Sequence, residues 1–435
     1  MCEANATLRS LGEIADTNPE TLATNTPRSA RFRYIDLSAV ETGFIKWDAV
    51  VETTYGAAPS RARRMVRPLD VLFGTVRPNL QSHGFIGESE PGPLVASTGF
   101  SVIRARDGVS HPAYLFHSMM SCQVAAQAVR DGVGSSYPAV NDSDVKKFEI
   151  FFPSFRHQEQ IAQVLDTLDT AIHETEAIIA KLKAVKQGLL HDLLTRGIDA
   201  NGELRRPQAE APHLYKKSPL GWIPNEWEIK TITEIADVKS GSTPSREQAN
   251  RYFAANGTPW VKTLDLNEDV ICETDECITA TALRETSCSL LPQGTVLVAM
   301  YGGWEQIGRT ALLAVSAATN QAISALVFRS ARTVPEFVLR ALQHGRPRWQ
   351  RVAASTRKDP NITKTDVLAF EVPLPAPNEQ SEIAGRVQAS LDRLEFEADM
   401  LAKLRHQKSG LMDDLLTGHV RVTSLLAEAE QKGSV

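Results

Sequence analysis

The chain has 435 residues, of which 42% are hydrophobic and 23% are charged, with 26 glycines and 23 prolines. This length is enough for two or three domains with their own cores, and the composition excludes a disordered or collagen-like chain. The formal net charge of −5 argues against a protein that coats nucleic acid through its overall charge.

Neither a membrane segment nor a disulfide framework is predicted. Residues 1–10 contain no apolar core of the kind found in signal peptides, and the most apolar long run, residues 311–328, is interrupted by polar side chains. We therefore expect a cytoplasmic protein. The five cysteines have no CxxC spacing and no neighbouring pair of histidines, so we expect buried or free thiols and no structural metal.

The first part of the chain predicts a module of short strands and a helix. Apolar runs predict strands at residues 71–73 and 100–103, and a run that begins at a proline predicts a helix over residues 112–129. A loop rich in glycine and serine follows at residues 131–138.

A much longer helix comes next. Apolar residues recur every three or four positions, which is the 3.5-residue period of a coiled-coil seam, and only Thr175 and Lys186 interrupt it. We expect a rod roughly 60 Å long that ends at Thr195. The apolar positions of the seam are Ile161, Leu165, Leu168, Ile172, Ile179, Leu182, Leu189 and Leu193.

The same plan then repeats after a polar, proline-containing linker at residues 196–220. The second module contains, in order, predicted strands at residues 295–300 and 325–328, a helix at 335–352 and a loop at 353–360. The seam of the second rod consists of Ile383, Val387, Leu394, Leu401, Leu404, Leu411 and Leu415.

The two halves are an internal duplication. At a constant shift of 222 positions, residues 148–195 fall on residues 370–417 without a gap, which changes the fold prediction for the whole chain. Upstream, the match continues at shifts that drift as the loops change in length. Identical pairs include Phe148 and Phe370, Gln158 and Gln380, Ile161 and Ile383, and Leu193 and Leu415.

The predicted fold class is mixed α/β (α+β): two similar domains joined by two long antiparallel helices, with pseudo-two-fold symmetry. The simplest partner for each rod is the other rod, because a globular module separates them in sequence; two separate bundle helices are the alternative. The predicted domains are residues 1–155 and 221–376 for the modules, 156–197 and 377–420 for the helices, 198–220 for the linker and 421–435 for a tail.

The loops, by contrast, do not repeat. Residues 41–67 and 267–290 have little in common, and neither do residues 74–89 and 301–314. A scaffold present in two copies with different loops is expected of a protein that holds two versions of one function at a set distance. Proteins that read two DNA half-sites are built in this way.

Several strings, in a fixed order, point to a family. They are Gly221-Trp-Ile-Pro-Asn-Glu-Trp-Glu228, Gly241-Ser-Thr-Pro244, Val298-Ala-Met-Tyr-Gly-Gly303, Ile307-Gly-Arg-Thr310, Thr319-Asn-Gln-Ala322, Pro375-Ala-Pro-Asn-Glu-Gln-Ser-Glu-Ile-Ala384 and Leu415-Leu-Thr-Gly-His-Val-Arg-Val422. Over essentially its full length the chain resembles the specificity subunits of Type I restriction-modification systems. It departs from the pattern at Asp16-Thr-Asn-Pro19, which replaces Gly-x-Thr-Pro, and at His157, which replaces the glutamate before the glutamine.

The resemblance implies a DNA-reading scaffold whose two target-recognition domains each read one half of a bipartite asymmetric sequence in double-stranded DNA. It also implies two modification (methyltransferase) subunits that use S-adenosylmethionine, and restriction (endonuclease) subunits that use ATP and Mg²⁺. The sequence contains no Asn-Pro-Pro-Tyr and no phosphate-binding Gly-x-x-x-x-Gly-Lys. We therefore expect no catalytic residue, metal ligand or cofactor in this chain.

Candidate DNA contacts lie in basic or non-repeating loops. Residues 28–77 carry nine basic residues against five acidic ones, and residues 340–364 carry seven against one. Arginine and lysine neutralise phosphates, whereas bidentate Arg, Asn and Gln contacts identify bases. The first module offers Arg61, Arg63, Arg64, Arg77, Asn79, Gln81, Ser135 and Ser136. The second offers Ser242, Thr243, Arg246, Tyr301, Trp304, Gln306, Arg346, Arg348, Arg357 and Lys358.

Two other classes of function stay open at this point. A fused methyltransferase or nuclease is disfavoured by the missing motifs and by the assignment of the whole chain to two module-rod units. A coiled-coil structural adaptor without sequence-specific DNA readout would need only the helices, and it leaves the two modules with different loops unexplained.

Overall fold

The computed structural model describes residues 7–90, 92–134, 138–353 and 360–422. The chain forms two compact units, one made of Met1–Ile178 with Ala398–Val435 and the other of Ile179–Glu397. Each of the two long helices contributes one half to each unit, because both unit boundaries fall within these helices.

The first unit contains the first module. Its strands are β1 (Thr7–Ser10), β2 (Ala15–Thr17), β3 (Arg31–Ile35), β4 (Val40–Glu41), β5 (Phe44–Ile45), β6 (Val51–Thr54), β7 (Ala62–Val66), β8 (Val71–Gly74), β9 (Gly84–Phe85), β10 (Leu94–Ser97), β11 (Phe100–Ala105) and β12 (Glu149–Phe152). Its helices are α1 (Leu11–Ile14), α2 (Pro112–Met119), α3 (Cys122–Asp131), α4 (Asp142–Val145) and the beginning of α5 (Phe155–Thr195).

The second unit contains the second module. Its strands are β13 (Tyr215–Ser218), β14 (Gly221–Pro224), β15 (Glu228–Thr231), β16 (Ala236–Ser240), β17 (Phe253–Ala254), β18 (Thr258–Val261), β19 (Val270–Ile271), β20 (Cys277–Ile278), β21 (Val296–Ala299), β22 (Thr310–Leu313), β23 (Ala318–Thr319), β24 (Ile323–Phe328) and β25 (Glu371–Leu374). Its helices are α6 (Ile232–Ile235), α7 (Ala249–Tyr252), α8 (Ala280–Glu285), α9 (Pro335–Gly345), α10 (Trp349–Val352), α11 (Lys364–Ala369) and the beginning of α12 (Pro377–Thr417).

The sheets of the two modules correspond. A sheet of order β2-β11-β8-β9 in the first module matches β16-β24-β21-β22-β19 in the second, where one strand is added at the edge. Each module has a further four-stranded sheet, β6-β3-β10-β7 or β17-β20-β18-β23. Both of these contain one parallel pair, β3 with β10 and β18 with β23. The predicted duplication therefore extends to the strand pairing.

One helix was expected before each long helix, and in the structure each of these expected helices is divided into two. In the first module α2 ends at Met119 and α3 begins at Cys122, because the hydroxyl of Ser121 caps α3 by accepting the N–H of Val124 (3.3 Å). In the second module α9 and α10 are separated by a 3-10 turn that contains Pro347, which has no N–H to donate.

The predicted linker is folded. Its last residues form β13, which pairs antiparallel with β14, and Ile198 forms a bridge with Leu204. The guanidinium of Arg205 donates to the Glu379 carboxylate (2.5 Å), which also accepts from the indole N–H of Trp227 (3.1 Å). These polar contacts hold the segment against the beginning of α12.

The long helices α5 and α12 have 41 residues each. In the first unit, Ile161 and Leu165 of α5 share a core with Leu415 of α12. In the second unit, Leu193 of α5 shares a core with Ile383 of α12. Opposite ends of the two helices thus meet in each unit, which confirms the predicted antiparallel arrangement and the fold class.

One buried glutamine begins each long helix. The side-chain oxygen of Gln158 accepts the N–H of His111 (2.9 Å), and its amide N–H donates to the carbonyl oxygens of Pro153 (3.0 Å) and Val109 (3.3 Å). Both Gln158 and its counterpart Gln380 have no exposed surface. Each amide therefore joins three segments of its unit.

The second glutamine repeats these bonds. The side-chain oxygen of Gln380 accepts the N–H of Val334 (2.8 Å), and its amide donates to the carbonyl oxygens of Pro375 (2.8 Å) and Arg332 (3.1 Å). Buried amides stabilise a fold only when their polar atoms are paired. The two sets of bonds therefore specify how each module meets its long helix.

We expect Gln158→Leu to lower the free energy of unfolding by about 2–4 kcal/mol, because it leaves the His111 N–H and the buried carbonyl oxygen of Pro153 without this partner. Urea unfolding followed by circular dichroism measures this effect. The control is Gln163→Leu, an exposed position on the same helix, where the expected change is within roughly 0.5 kcal/mol. Equal midpoints for the two variants would contradict the assigned role.

Candidate nucleic-acid interface

In the first unit, several of the predicted DNA-contact residues lie where the end of β8, the turn before β11 and the loop after α3 meet. The N–H of Thr75 donates to the carbonyl oxygen of Gly99 (2.9 Å), and the N–H of Val140 donates to that of Thr75 (3.0 Å). Beside them, the N–H of Arg77 donates to the carbonyl oxygen of Pro138 (2.7 Å). We call the place defined by Thr75, Gly99 and Val140 the first junction.

The second unit repeats this arrangement. The N–H of Met300 donates to the carbonyl oxygen of Ala322 (2.8 Å), and the N–H of Ile362 donates to that of Met300 (3.0 Å). We call the place defined by Met300, Ala322 and Ile362 the second junction. The two junctions present different loops on the same backbone frame.

Three predicted arginines lie on or beside β7. Arg61 is exposed, and the guanidinium of Arg63 lies over the ring of Tyr55, 5.2 Å from its centre. The guanidinium of Arg64 instead donates to the carboxylate of Asp142 (2.6 Å). Arg61 and Arg63 are therefore better placed for phosphates than Arg64, which holds α4.

The loop from β8 to β9 carries the other predicted contacts of the first module. Arg77 and Gln81 adopt φ angles of 50° and 49°, a left-handed conformation that is strained for non-glycine residues and is common at functional sites. The amide of Gln81 donates to the carbonyl oxygen of Met120 (3.2 Å). Asn79 is exposed, and Leu80 has 55% of its surface exposed.

In the second module the Gly-Ser-Thr-Pro loop packs on the segment that precedes β24. A Cβ atom on Gly241 would lie 2.1 Å from the carbonyl oxygen of Asn320, so only glycine fits there. The N–H of Ser242 donates to the carbonyl oxygen of Thr319 (2.9 Å), and the hydroxyl of the exposed Thr243 donates to the side-chain oxygen of Gln321. Ser242 and Thr243 therefore lie beside the second junction.

Arg246 belongs to a local charge network. Its guanidinium lies over the ring of Phe253 (4.2 Å) and donates to the Glu276 carboxylate (2.6 Å). The ammonium of Lys262 donates to the same carboxylate (2.9 Å). The hydrogen bonds from Arg246 and then Lys262 lower the pKa of Glu276 to about 2. Sequence reasoning missed Lys262 and Glu276 because their contact with Arg246 is tertiary.

The loop from β21 to β22 exposes aromatic side chains. Tyr301 and Trp304 have 44% and 51% of their surfaces exposed. Gly302 and Gly303, at φ angles of 112° and 79°, make the turn between them. Gln306 is half-buried, and its side-chain oxygen accepts from the guanidinium of Arg309 (3.3 Å).

Both loops therefore expose at least one large hydrophobic side chain. Leu80 follows β8, and Trp304 follows β21, which is the counterpart of β8 in the second sheet. Sequence reasoning selected Trp304 and missed Leu80, because an exposed leucine gives no signal until the two modules are compared strand by strand.

Two arginines of the basic segment at residues 340–364 make contacts with other residues of the second unit. The guanidinium of Arg346 pairs with Glu268 and donates to the carbonyl oxygen of Ile307 (3.1 Å). Arg348 donates to the carbonyl oxygen of Glu371 (2.9 Å), and burial lowers its pKa. The remaining predicted contacts lie outside the described residues; they are Ser135, Ser136, Arg357 and Lys358.

Within the described part of the chain, no group of three or more His, Cys, Asp or Glu side chains is arranged to hold a metal ion. In that same part of the chain, no helix has both the length and the apolar character that a membrane span needs.

The comparison with known proteins decides the family. A family model described as "Type I restriction modification DNA specificity domain" matches residues 82–184 and 224–406, which together make up more than half of the chain. The chain belongs to this family. The resemblance predicted from the sequence strings is thus confirmed, and the matched segments of this specificity-domain protein include parts of both modules.

Relatives of this specificity-domain protein match most of its length. The MjaVIII specificity subunit of a type I restriction enzyme from Methanocaldococcus jannaschii is 23% identical over 338 residues, which cover 76% of this chain and 75% of the relative. The HsdS subunit from Thermoanaerobacter tengcongensis is 24% identical, with a TM-score of 0.51 over 95% of this chain and 97% of that one. The S subunit from M. genitalium is 14% identical, with a TM-score of 0.55 over 95% and 96%.

We expect Glu276→Gln to raise affinity for duplex DNA several-fold at low salt and to steepen its salt dependence, because Arg246 loses its acidic partner and Lys262 loses one of its two. Fluorescence anisotropy at several salt concentrations measures both. The control is Glu382→Gln, which releases Arg386 on α12 and should change neither. Equal behaviour of the two variants would exclude Arg246 and Lys262 from the interface.

The same ion pairs predict that the stability of the fold depends on pH. The folded-state pKa of Glu276 is depressed to about 2 from an ordinary value of 4.5, so its contribution to stability is present above pH 4.5 and is lost as pH falls towards 2. Glu276→Gln should therefore flatten the acid limb of the unfolding curve. Unfolding midpoints of wild type and variant between pH 5 and 2 measure this difference.

Proposed function

We propose that this chain is the address-reading subunit of a Type I restriction-modification complex, in which each module reads one half of a bipartite asymmetric DNA target. The observation that carries the proposal is the pair of junctions: two equivalent backbone hydrogen bonds occur in two modules that carry different polar loops. The family match across both modules supports the same conclusion.

The loop residues would have two roles: some would contact phosphates and position the DNA, and others would contact base edges and identify the sequence. Arg61 and Arg63 would neutralise phosphates and set the register of the first module. Asn79 and Ser242 offer the donors and acceptors that base edges require. The apolar tips, Leu80 and Trp304, would pack on bases or wedge between them, which adds affinity at the cost of unstacking.

Catalysis would come from partners. We assign adenine methylation to two modification subunits that bind S-adenosylmethionine, and DNA cleavage to restriction subunits that use ATP and Mg²⁺. In this assignment the present chain supplies no catalytic residue and works in the cytoplasm, where it directs both activities to one DNA target sequence. The support is the family match together with the absence of methyltransferase and nucleotide-binding motifs from the sequence.

The test is a single-molecule map of methylated adenine in host DNA, with this gene intact and with it deleted, the modification subunit being present in both strains. We expect one bipartite motif to be methylated only when the gene is intact, and that motif gives both half-sites and their spacing. An unchanged methylation pattern would reject the proposal and favour a coiled-coil adaptor.

We expect Trp304→Ala to weaken binding of the mapped target by about tenfold, since a stacked aromatic side chain contributes about 1–3 kcal/mol per base. Competition anisotropy with the target duplex measures the loss. The control is Trp222→Ala, because Trp222 is also exposed (43%) but lies on the β13–β14 hairpin, where the ammonium of Lys217 lies over its ring. A loss of the same size in both variants would show that the effect is not specific to the loop.

A further inference from the structure

In each module, the break between two helices contacts a loop that the proposed function assigns to DNA. The first break, at residues 120–121, lies between α2 and α3, and the second, at residues 346–348, lies between α9 and α10. The loop from β8 to β9 is bonded to the first break, and the loop from β21 to β22 is bonded to the second. We call these two loops the reading loops. They carry the exposed side chains of Leu80 and Trp304, so the contact between a break and a reading loop occurs in both modules.

In the first module the side chain that makes this contact comes from the loop. The amide of Gln81 donates to the carbonyl oxygen of Met120 (3.2 Å), which lies just after the end of α2. Gln81 is half-buried and adopts a φ angle of 49°, which is unfavourable for a residue with a side chain. Because Gln81 directly follows Leu80, this bond fixes the position of the exposed leucine.

In the second module the side chain that makes the contact comes from the break. The guanidinium of Arg346 donates through Nη2 to the carbonyl oxygen of Glu305 (2.5 Å) and through Nε to that of Ile307 (3.1 Å). Both acceptors follow Trp304 in the reading loop. The third nitrogen, Nη1, donates to the carboxylate of Glu268. Each nitrogen of this guanidinium therefore already has an acceptor in the second unit.

Glu268 is itself held in place by several bonds. Its φ angle is 64°, a left-handed conformation that persists in a non-glycine residue only where the surroundings enforce it. Its carbonyl oxygen accepts from the guanidinium of Arg340 (3.1 Å) and from the amide of Gln343 (2.5 Å), both on α9. Its N–H donates to the carbonyl oxygen of Thr310 (2.9 Å), the first residue of β22. The carboxylate that orients Arg346 is therefore fixed on the same helix and strand that flank the reading loop.

We propose that Gln81 and Arg346 are positioning residues: each fixes the conformation of one reading loop, and so determines which base pairs that loop accepts, without a DNA contact of its own. The inference rests on the proposed function, in which each module reads one half-site. The sequence predicts direct DNA contacts at both positions, and the proposal assigns them an indirect role. Base recognition depends on geometry within about half an ångström, so a loop that loses its support loses discrimination at every base pair that it contacts.

Three possible roles of Arg346 give three different binding patterns. Loss of a phosphate contact weakens binding to all duplexes alike and lowers the salt slope by about one. Loss of a direct base contact relaxes discrimination at a single base pair. Loss of a positioning residue relaxes several base pairs of one half-site together and leaves the salt slope unchanged.

The test measures binding of the full chain, by competition anisotropy, to the mapped target duplex and to duplexes that each carry one mismatched base pair. In wild type, a mismatch at a read base pair should weaken binding about 5- to 150-fold. Arg346→Lys keeps the charge, but one ammonium group cannot replace a planar guanidinium that serves three acceptors. We expect this variant to reduce the penalty to less than about twofold at two or more base pairs of one half-site. Arg346→Met should do the same with the wild-type salt slope.

The first module supplies the matched variant. Gln81→Met removes the amide donor at similar volume, and it should relax only the half-site that Arg346→Lys leaves intact. Penalties retained at the other half-site show in each case that the chain is folded. The control is Arg332→Lys, an exposed position before the start of α9, at the end of that helix opposite to the second break, which should keep every wild-type penalty.

Four results would overturn the proposal. They are wild-type penalties in Arg346→Lys, relaxation at a single base pair, relaxation of both half-sites by one variant, and a salt slope that falls by about one in Arg346→Met. A wild-type chain that shows no mismatch penalty at all would instead reject the proposed DNA-reading function, so the two failures are distinguishable.

Discussion

The fold depends on a buried glutamine at the start of each long helix. Gln158 and Gln380 have no exposed surface, and each amide joins its long helix to the segment that precedes α2 or α9 and to the residue directly after the preceding strand. An unpaired buried amide would cost several kcal/mol, so these bonds exclude alternative placements of the helix that apolar packing alone would tolerate. In each unit the module and its helix are therefore joined in one defined way.

The same backbone frame then supports different surfaces. The first and second junctions use equivalent N–H and carbonyl groups, so the strand ends and the adjoining loops start from equivalent positions in both modules. The loops themselves differ in length and charge, and they end in different apolar tips, Leu80 and Trp304. Because the frame needs only backbone groups, loop side chains can differ between modules without a cost to the core.

Three of the charged candidates for DNA contact already have acidic partners inside the protein. Arg64 pairs with Asp142, Arg246 with Glu276, and Arg346 with Glu268. Contact with a phosphate would thus exchange one anion for another, and the net gain is smaller than the contact alone suggests. Such pairs disfavour indiscriminate phosphate binding, in keeping with a chain of net charge −5.

The sequence by itself determined the duplication, the two long helices and the family, because each rests on a pattern along the chain: a constant shift of 222 positions, a 3.5-residue period and ordered strings. Tertiary structure alone decided the fold of the predicted linker, the helix breaks at Ser121 and Pro347, and the acidic partners of the arginines. It also brought His191 and His344 within 3.4 Å of each other. The reason is physical: hydrogen bonds and ion pairs form between atoms close in space, and here they join residues far apart in sequence.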